Sequence, residues 1–249
     1  MAYTPLSHSQ FKEYRLRKGT YSFLHGRPVV PVFVSEAPRA ALDLPLAFAP
    51  AKKGVVPVAV LSLNQEDNAQ VGPQGEWMGG YMPAQIRCHP FSLAFSGERA
   101  TLLVDRDSDW LSTEEGEPLF DAQGNATELV QGYIETLKQT ASSPRLETEA
   151  VAAIANSDIL QPWIQEPVKL FRISEPALNG LSEHTFLRLR QQGALPLVYA
   201  HLISLARLER IRQLARQKEE ASRQREAEAQ AKPRPAVMDF EQDMIRFST

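Results

Sequence analysis

Residues 77–91 constrain the fold more than any other stretch of the chain. The run reads Trp77-Met78-Gly79-Gly80-Tyr81-Met82-Pro83-Ala84-Gln85-Ile86-Arg87-Cys88-His89-Pro90-Phe91. Two prolines remove ladder donors, so it cannot be a central strand. Two adjacent glycines disfavour a helix. Its large apolar rings argue against a solvated loop. A segment with these properties must turn tightly and pack its rings against something else. One reading is a rigid corner on a sheet. The other is an aromatic, proline-shaped surface at Trp77, Tyr81, Pro83, Arg87, Pro90 and Phe91 that takes an extended peptide or a sugar.

The flanking sequence is rich in short β-branched runs. Val29 to Val34 reads as an edge strand, since Pro31 cannot donate to a ladder. Ser35 is a candidate N-cap for a short helix carrying Pro38. Leu46–Ala49 and Val55–Leu63 form a hairpin about 50–54, and Ala94–Phe95 with Thr101–Asp105 form another about 96–99. Residues 64–68 open a polar loop, and Gly72-Pro73-Gln74-Gly75 is a turn. Residues 1–27 read as a mixed, locally basic arm tacked down by Tyr3, Phe11, Tyr14, Tyr21 and Phe23.

From residue 127 the period changes from two to 3.6. Glu128–Gln139 and Thr148–Ala155 read as helices, with Ala141–Pro144 as a break. Residues 160–163 read as a turn and Val168–Ile173 as a strand. Two short helices follow, the second closed by Gly193 as a C′ glycine. Pro196 opens a long helix toward residue 230. Leu197, Leu205, Leu208 and Ala215 share one face, with Leu202 and Ile211 beside it. After Leu214 that helix is almost wholly charged.

The fold class is therefore α+β: a β-rich N-terminal half of short strands and a helical C-terminal half ending in a long, partly solvated helix. One domain spans 1–215, β-rich over 28–126 and helical over 127–215. Residues 216–249 form a charged helical extension and flexible tail, dispensable for folding because they carry too little apolar surface. Val237–Phe240 and Met244–Phe247 read as short docking segments.

Composition excludes several functions. A net charge of −3 gives no electrostatic footprint for nucleic acid. One cysteine excludes an intramolecular disulfide. No apolar run is long enough to span a bilayer, and no Sec-type signal is visible, so the expected compartment is the cytoplasm, with signal-independent export as the other route. Neither a phosphate-cradling glycine loop nor a G-x-S-x-G elbow occurs.

Cys88-His89 invites a nucleophile–base or metal reading. Neighbours in an extended segment face opposite ways, and no CxxC, HxH or HExxH pattern supplies further ligands. Asp105-Arg106-Asp107-Ser108-Asp109 lacks the glycine and the terminal glutamate of a calcium loop and reads as a solvated turn. Leu119 and Phe120 read as buried and Glu114, Glu115 and Glu117 as exposed. His201, on the apolar helix face, reads as a core histidine bonded to a backbone carbonyl. Basic residues from Arg207 to Lys218 alternate with glutamates, so they read as a salt-laced solvated face, with coiled-coil self-association as a weaker option. No catalytic set, metal site or cofactor is implied.

Pro31–Glu36, Leu44–Phe48, Gly75–Trp77, Gly80–Ala84, Arg87–Phe91, Glu115–Asp121, Leu181–Phe186, Gly193–Leu195 and Tyr199–Leu205 resemble the bacterial SapC family. The resemblance runs from about residue 28 to residue 210, and Cys88-His89 departs from the family's aromatic-rich pattern there. The family takes its name from an association with bacterial surface layers. The resemblance implies a non-enzymatic binding or assembly protein with a protein or peptide partner, linked to surface layers or to peptide and nutrient handling. The alternative it allows is an enzyme or enzyme accessory acting on peptides beside an oxygenase or halogenase.

Overall fold

The computed structural model describes residues 3–231 apart from 53, 64–67, 69, 97, 142 and 165–167. The chain divides into two compact units, Met1–Ala215 and Arg216–Thr249. The strands, in chain order, are β1 (Tyr3–Pro5), β2 (Arg15–Leu16), β3 (Val29–Pro31), β4 (Leu46–Pro50), β5 (Val55–Val60) and β6 (Phe91–Ser96). They continue with β7 (Arg99–Asp105), β8 (Leu111–Ser112), β9 (Glu117–Pro118), β10 (Leu160–Ile164) and β11 (Leu170–Ile173). The helices are α1 (His8–Phe11), α2 (Ala37–Ala40), α3 (Ala84–Arg87), α4 (Glu128–Ala141), α5 (Pro144–Ala155), α6 (Glu175–Asn179), α7 (Glu183–Gln191), α8 (Leu195–Ser204) and α9 (Leu208–Ala231). The protein is α+β with antiparallel sheets, as its hydrophobic periods require.

The main sheet has the order β10-β11-β4-β5-β3, and every pairing is antiparallel. β4 and β5 pair Leu46 with Ala59 and Phe48 with Pro57. Gly54, at φ +78°, turns the hairpin between them. β4 is buried on both faces. Leu46 and Phe48 enter one core, and Ala47 and Ala49 enter another with Val58, Val60, Leu170 and Ile211. This is the period-two geometry of a strand covered on both sides. β3 is an edge strand, which suits Pro31.

Side chains from α8 complete the backbone bonding of this sheet. Ser204 Oγ accepts from Leu46 N at 2.8 Å, and His201 Nε2 accepts from Ile173 N at 3.0 Å. His201 is thus a core histidine, but its partner is a backbone N–H rather than the expected carbonyl. Burial pushes its imidazole down to about 4, so it stays neutral and accepts.

Several local expectations are corrected. Residues 160–163 are not a turn but the start of β10, an outer strand where Pro162 is tolerated and the register shifts between Pro162 and Ile164. The N-terminal arm is not merely tacked down: β1 adds to β7, and β2 lies between β8 and β9. The break at Ala141–Pro144 is present, but the helix after it starts at Pro144 rather than Thr148, with the proline in the first turn of α5, where its missing N–H is harmless. Glu36, not Ser35, is the N-cap of α2. The long C-terminal helix is interrupted by a 3₁₀ turn at Leu205–Arg207. Asp105 and Ser108 are buried, so that acidic turn is only half solvated. Leu119 is buried and Phe120 half-buried, with the neighbouring glutamates exposed. The polar loop at 64–68 lies mostly, and the segments at 237–240 and 244–247 wholly, outside the described residues.

Candidate functional site

The main sheet's edge strand β3 leads into a tight turn, Phe33–Glu36, and two carboxylates grip that turn. Glu36 is 2% exposed. Its Oε1 accepts from Phe33 N at 2.9 Å, and its Oε2 accepts from Tyr81 Oη at 2.8 Å and Ala84 N at 2.9 Å. These three donors neutralise much of the desolvation of a buried carboxylate. They also fix the start of α3 and the ring of Tyr81. Burial, then the Glu36 charge, holds the Tyr81 phenol well above its ordinary range, so it remains a donor.

Glu147 of α5 grips the same turn from another direction. Its Oε2 accepts from Val34 N at 2.7 Å, and its Oε1 lies 3.4 Å from Ser35 N and 3.2 Å from Ser35 Oγ. Ser35 Oγ also donates to the Thr140 carbonyl. One hydroxyl proton cannot fully serve two acceptors, so a protonated Glu147 can instead donate to Ser35 Oγ. Burial pushes the Glu147 carboxyl up to about 7 despite the backbone bonds that favour its ionised form.

Beside the turn opens a polar cleft of about 440 Å³. Arg39 of α2, Arg87 of α3, Tyr81 and the α4 residues Thr136, Gln139 and Thr140 line it, with Ser35 and Glu36. Arg87 Nη2 donates to Thr140 Oγ1 at 3.3 Å. Both guanidiniums are exposed, and among the described residues neither forms a salt bridge. Two guanidiniums over a polar floor can hold a carboxylate or another oxyanion.

Only part of the aromatic-proline segment reaches this cleft. Tyr81 and Arg87 do. Phe91 is fully buried in β6, with its ring 5.3 Å from that of Tyr133, and Pro83 and Pro90 are buried. These three offer no surface, because the strand's inward period and the cap of α3 consume them. Trp77 is half-buried at the margin of the main core, edge-on to Tyr21 at 6.5 Å, and among the described residues its buried Nε1 has no hydrogen-bond partner.

Cys88 and His89 serve separate surroundings. Cys88 is buried in a third core, with Phe11, Phe33, Phe91 and Trp110, and burial pushes its thiol up to about 11, which suppresses the thiolate. His89 stacks on Phe23 at 3.7 Å and meets the edge of Trp110 at 5.2 Å. Its Nε2 lies 2.7 Å from Ser108 Oγ, which also accepts from Trp110 N at 3.1 Å. Burial holds His89 down to about 3. Among the described residues the buried Nδ1 has no partner, so none of them orients the ring as a general base requires. Among the described residues no cluster of three histidine, cysteine or carboxylate groups could hold a metal.

Sequence reasoning missed Arg39, Glu147, Thr136, Gln139 and Thr140. Glu147 carried a usable signal. It shares helical spacing with Ala150 and Ile154, both fully buried, so a carboxylate stood on an apolar stripe.

A protein-family model described as SapC matches residues 6–211. The chain belongs to the SapC family. The match reaches further upstream than the sequence resemblance and takes in α1 and β2, the arm that the fold builds into its third sheet. The clasped turn and the whole cleft lie inside the SapC region. No curated protein and no solved structure matches the chain. No helix among the described residues is long and apolar enough to cross a membrane.

Proposed function

We propose that this SapC protein is a non-enzymatic recognition module that holds a protein or peptide partner by a carboxylate of that partner, seated between Arg39 and Arg87. The observation that carries the reading is the pair of guanidiniums, without a salt bridge among the described residues, over a cleft whose own acid, Glu36, is wholly engaged by backbone and phenol donors. Tyr81, Thr136 and Gln139 supply further polar contacts and an aromatic edge, which suit a peptide. The neighbouring thiol and imidazole are displaced away from reactivity, which supports recognition over nucleophilic catalysis. The association of the family name with surface layers makes a surface-layer or peptide-handling protein the first partner to test.

The test is a binding titration with fluorescently labelled peptides that end either in a free carboxylate or in an amide, followed by Arg39→Ala and Arg87→Ala. The free acid should bind more tightly, weaken with salt, and lose about tenfold or more with each arginine removed. Equal binding of acid and amide would refute the site.

A further inference from the structure

The clasped turn also borders a second cavity of opposite character. Pro31–Phe33, Val55–Pro57, Leu93, Phe95 and Val151 wall a space of about 260 Å³. Past Val55, Phe95 and Val151 it is continued by a space of about 540 Å³, and Glu147 and Thr148 line both. This is the composition of a small-molecule site: mostly apolar walls with a few convergent polar groups.

The polar groups of the first space are Gln85, Glu147 and Thr148. Thr148 Oγ1 donates to the Pro144 carbonyl at 3.0 Å. Among the described residues that line it, Glu147 is the one acid and none is a cation. On its own helix Arg145 is paired with Glu149 at 2.8 Å. From the turn, the charge that acts on Glu147 is the Glu36 carboxylate, which repels. To the first space β3, β5 and β6 present only apolar residues and α3 the neutral Gln85; β6 adds Ser96 to the second. An apolar pocket with an uncompensated carboxyl selects its ligand by elimination. An anion is repelled by Glu147 and Glu36. A neutral apolar molecule fills the walls but gives the Glu147 carboxylate, held by Val34 N, Ser35 N and Ser35 Oγ, no opposite charge. A bare hydrated cation leaves the apolar walls wet.

We propose that this cavity binds a small ammonium ligand with an apolar body, its charge on Glu147 and its chain or ring along Val55, Leu93, Phe95 and Val151. The site is separate from the arginine cleft and does not depend on that cleft's role. Because the empty carboxyl titrates at about 7 and the ammonium requires it ionised, binding is linked to release of its proton.

The probe is n-hexylammonium chloride, titrated calorimetrically into the full-length protein, with n-hexanol and n-hexanoate as controls. Hexylammonium should bind at pH 8 more tightly than either control. From pH 8 to pH 5.5 its affinity should fall about 30-fold, the loss of ionised carboxyl expected for a group titrating at about 7. In buffers of different ionisation enthalpy, about one proton should be released per ligand bound at pH 5.5 and few at pH 8. Glu147→Gln should weaken binding and remove its pH dependence. The wild-type pH series stands as evidence even if that variant folds poorly. Hexanol or hexanoate binding as tightly as hexylammonium at pH 8, an affinity flat between pH 5.5 and 8, or no saturable binding at millimolar probe would each overturn the proposal.

Discussion

Replacing Glu147 with glutamine should change how stability depends on pH, and the sign follows from the burial of this carboxyl. The folded protein raises Glu147 from 4.5 to about 7, chiefly by desolvation. It therefore holds the proton more tightly than the unfolded chain does. The associated stability is fully present below pH 4.5 and is lost as the pH rises through about 7. The displacement has a ceiling of roughly 3 kcal/mol. Part of the side chain still meets water, and screening brings the expected figure to about 1–2 kcal/mol. Urea unfolding of the wild type and of Glu147→Gln at pH 5 and pH 8 measures it. His89 and His201 are neutral in the fold and act in the opposite direction below about 6.5, so the quantity to read is the difference between the two proteins. Wild type should lose about 1–2 kcal/mol relative to the variant between pH 5 and 8, or roughly 2–8 °C in melting temperature for a domain of this size. Parallel profiles would mean that Glu147 titrates as an ordinary exposed acid. A wild type that gains on the variant would mean that the Val34 and Ser35 bonds outweigh burial.

Other outcomes follow from the same packing. Glu36→Gln places an amide against three donors and leaves at least one of Phe33 N, Ala84 N or Tyr81 Oη without an acceptor; chemical unfolding should show a loss of about 1–3 kcal/mol. Acid unfolding should begin below about pH 6.5, because His89 and His201 are held down to about 3 and about 4 and must be charged on unfolding; His201→Gln should flatten that slope in circular dichroism melts at pH 4–6.5. Truncation after Ala215 should leave cooperative unfolding intact, since the first compact unit ends there; a broadened transition in calorimetry would count against this.

The fold class was legible because its elements obey simple periods. Val55 to Val60 with Leu46 to Ala49 could only be a hairpin, and Leu129, Val130 and Leu137 could only mark a helix. The misread elements depend on tertiary partners. Leu160–Ile164 becomes a strand only because β11 lies beside it, and a proline can be read as a breaker or as an outer-strand residue. Likewise β1 and β2 are too short to register without β7, β8 and β9. The site was half legible. Tyr81 and Arg87 stood in a conspicuous segment. Arg39 and Glu147 stood about 40 residues upstream and 60 downstream of it, and only the sheet and helix packing brings them to one turn. Phe91 shows the limit of composition: an aromatic in a conspicuous run is as readily core as surface, and here the inward period of β6 decides.

On the proposed reading, the Arg39–Arg87 cleft recognises a carboxylate. The direct measurement is the affinity of one labelled peptide for the wild type, with its terminal carboxylate free and then amidated, and for the Arg39→Ala/Arg87→Ala double variant. Recognition at the cleft requires tight, salt-sensitive binding of the free acid to the wild type. It requires binding at least tenfold weaker for the amide, and a double variant that no longer tells the two apart. A double variant that keeps the full preference for the free acid would place carboxylate recognition away from this cleft.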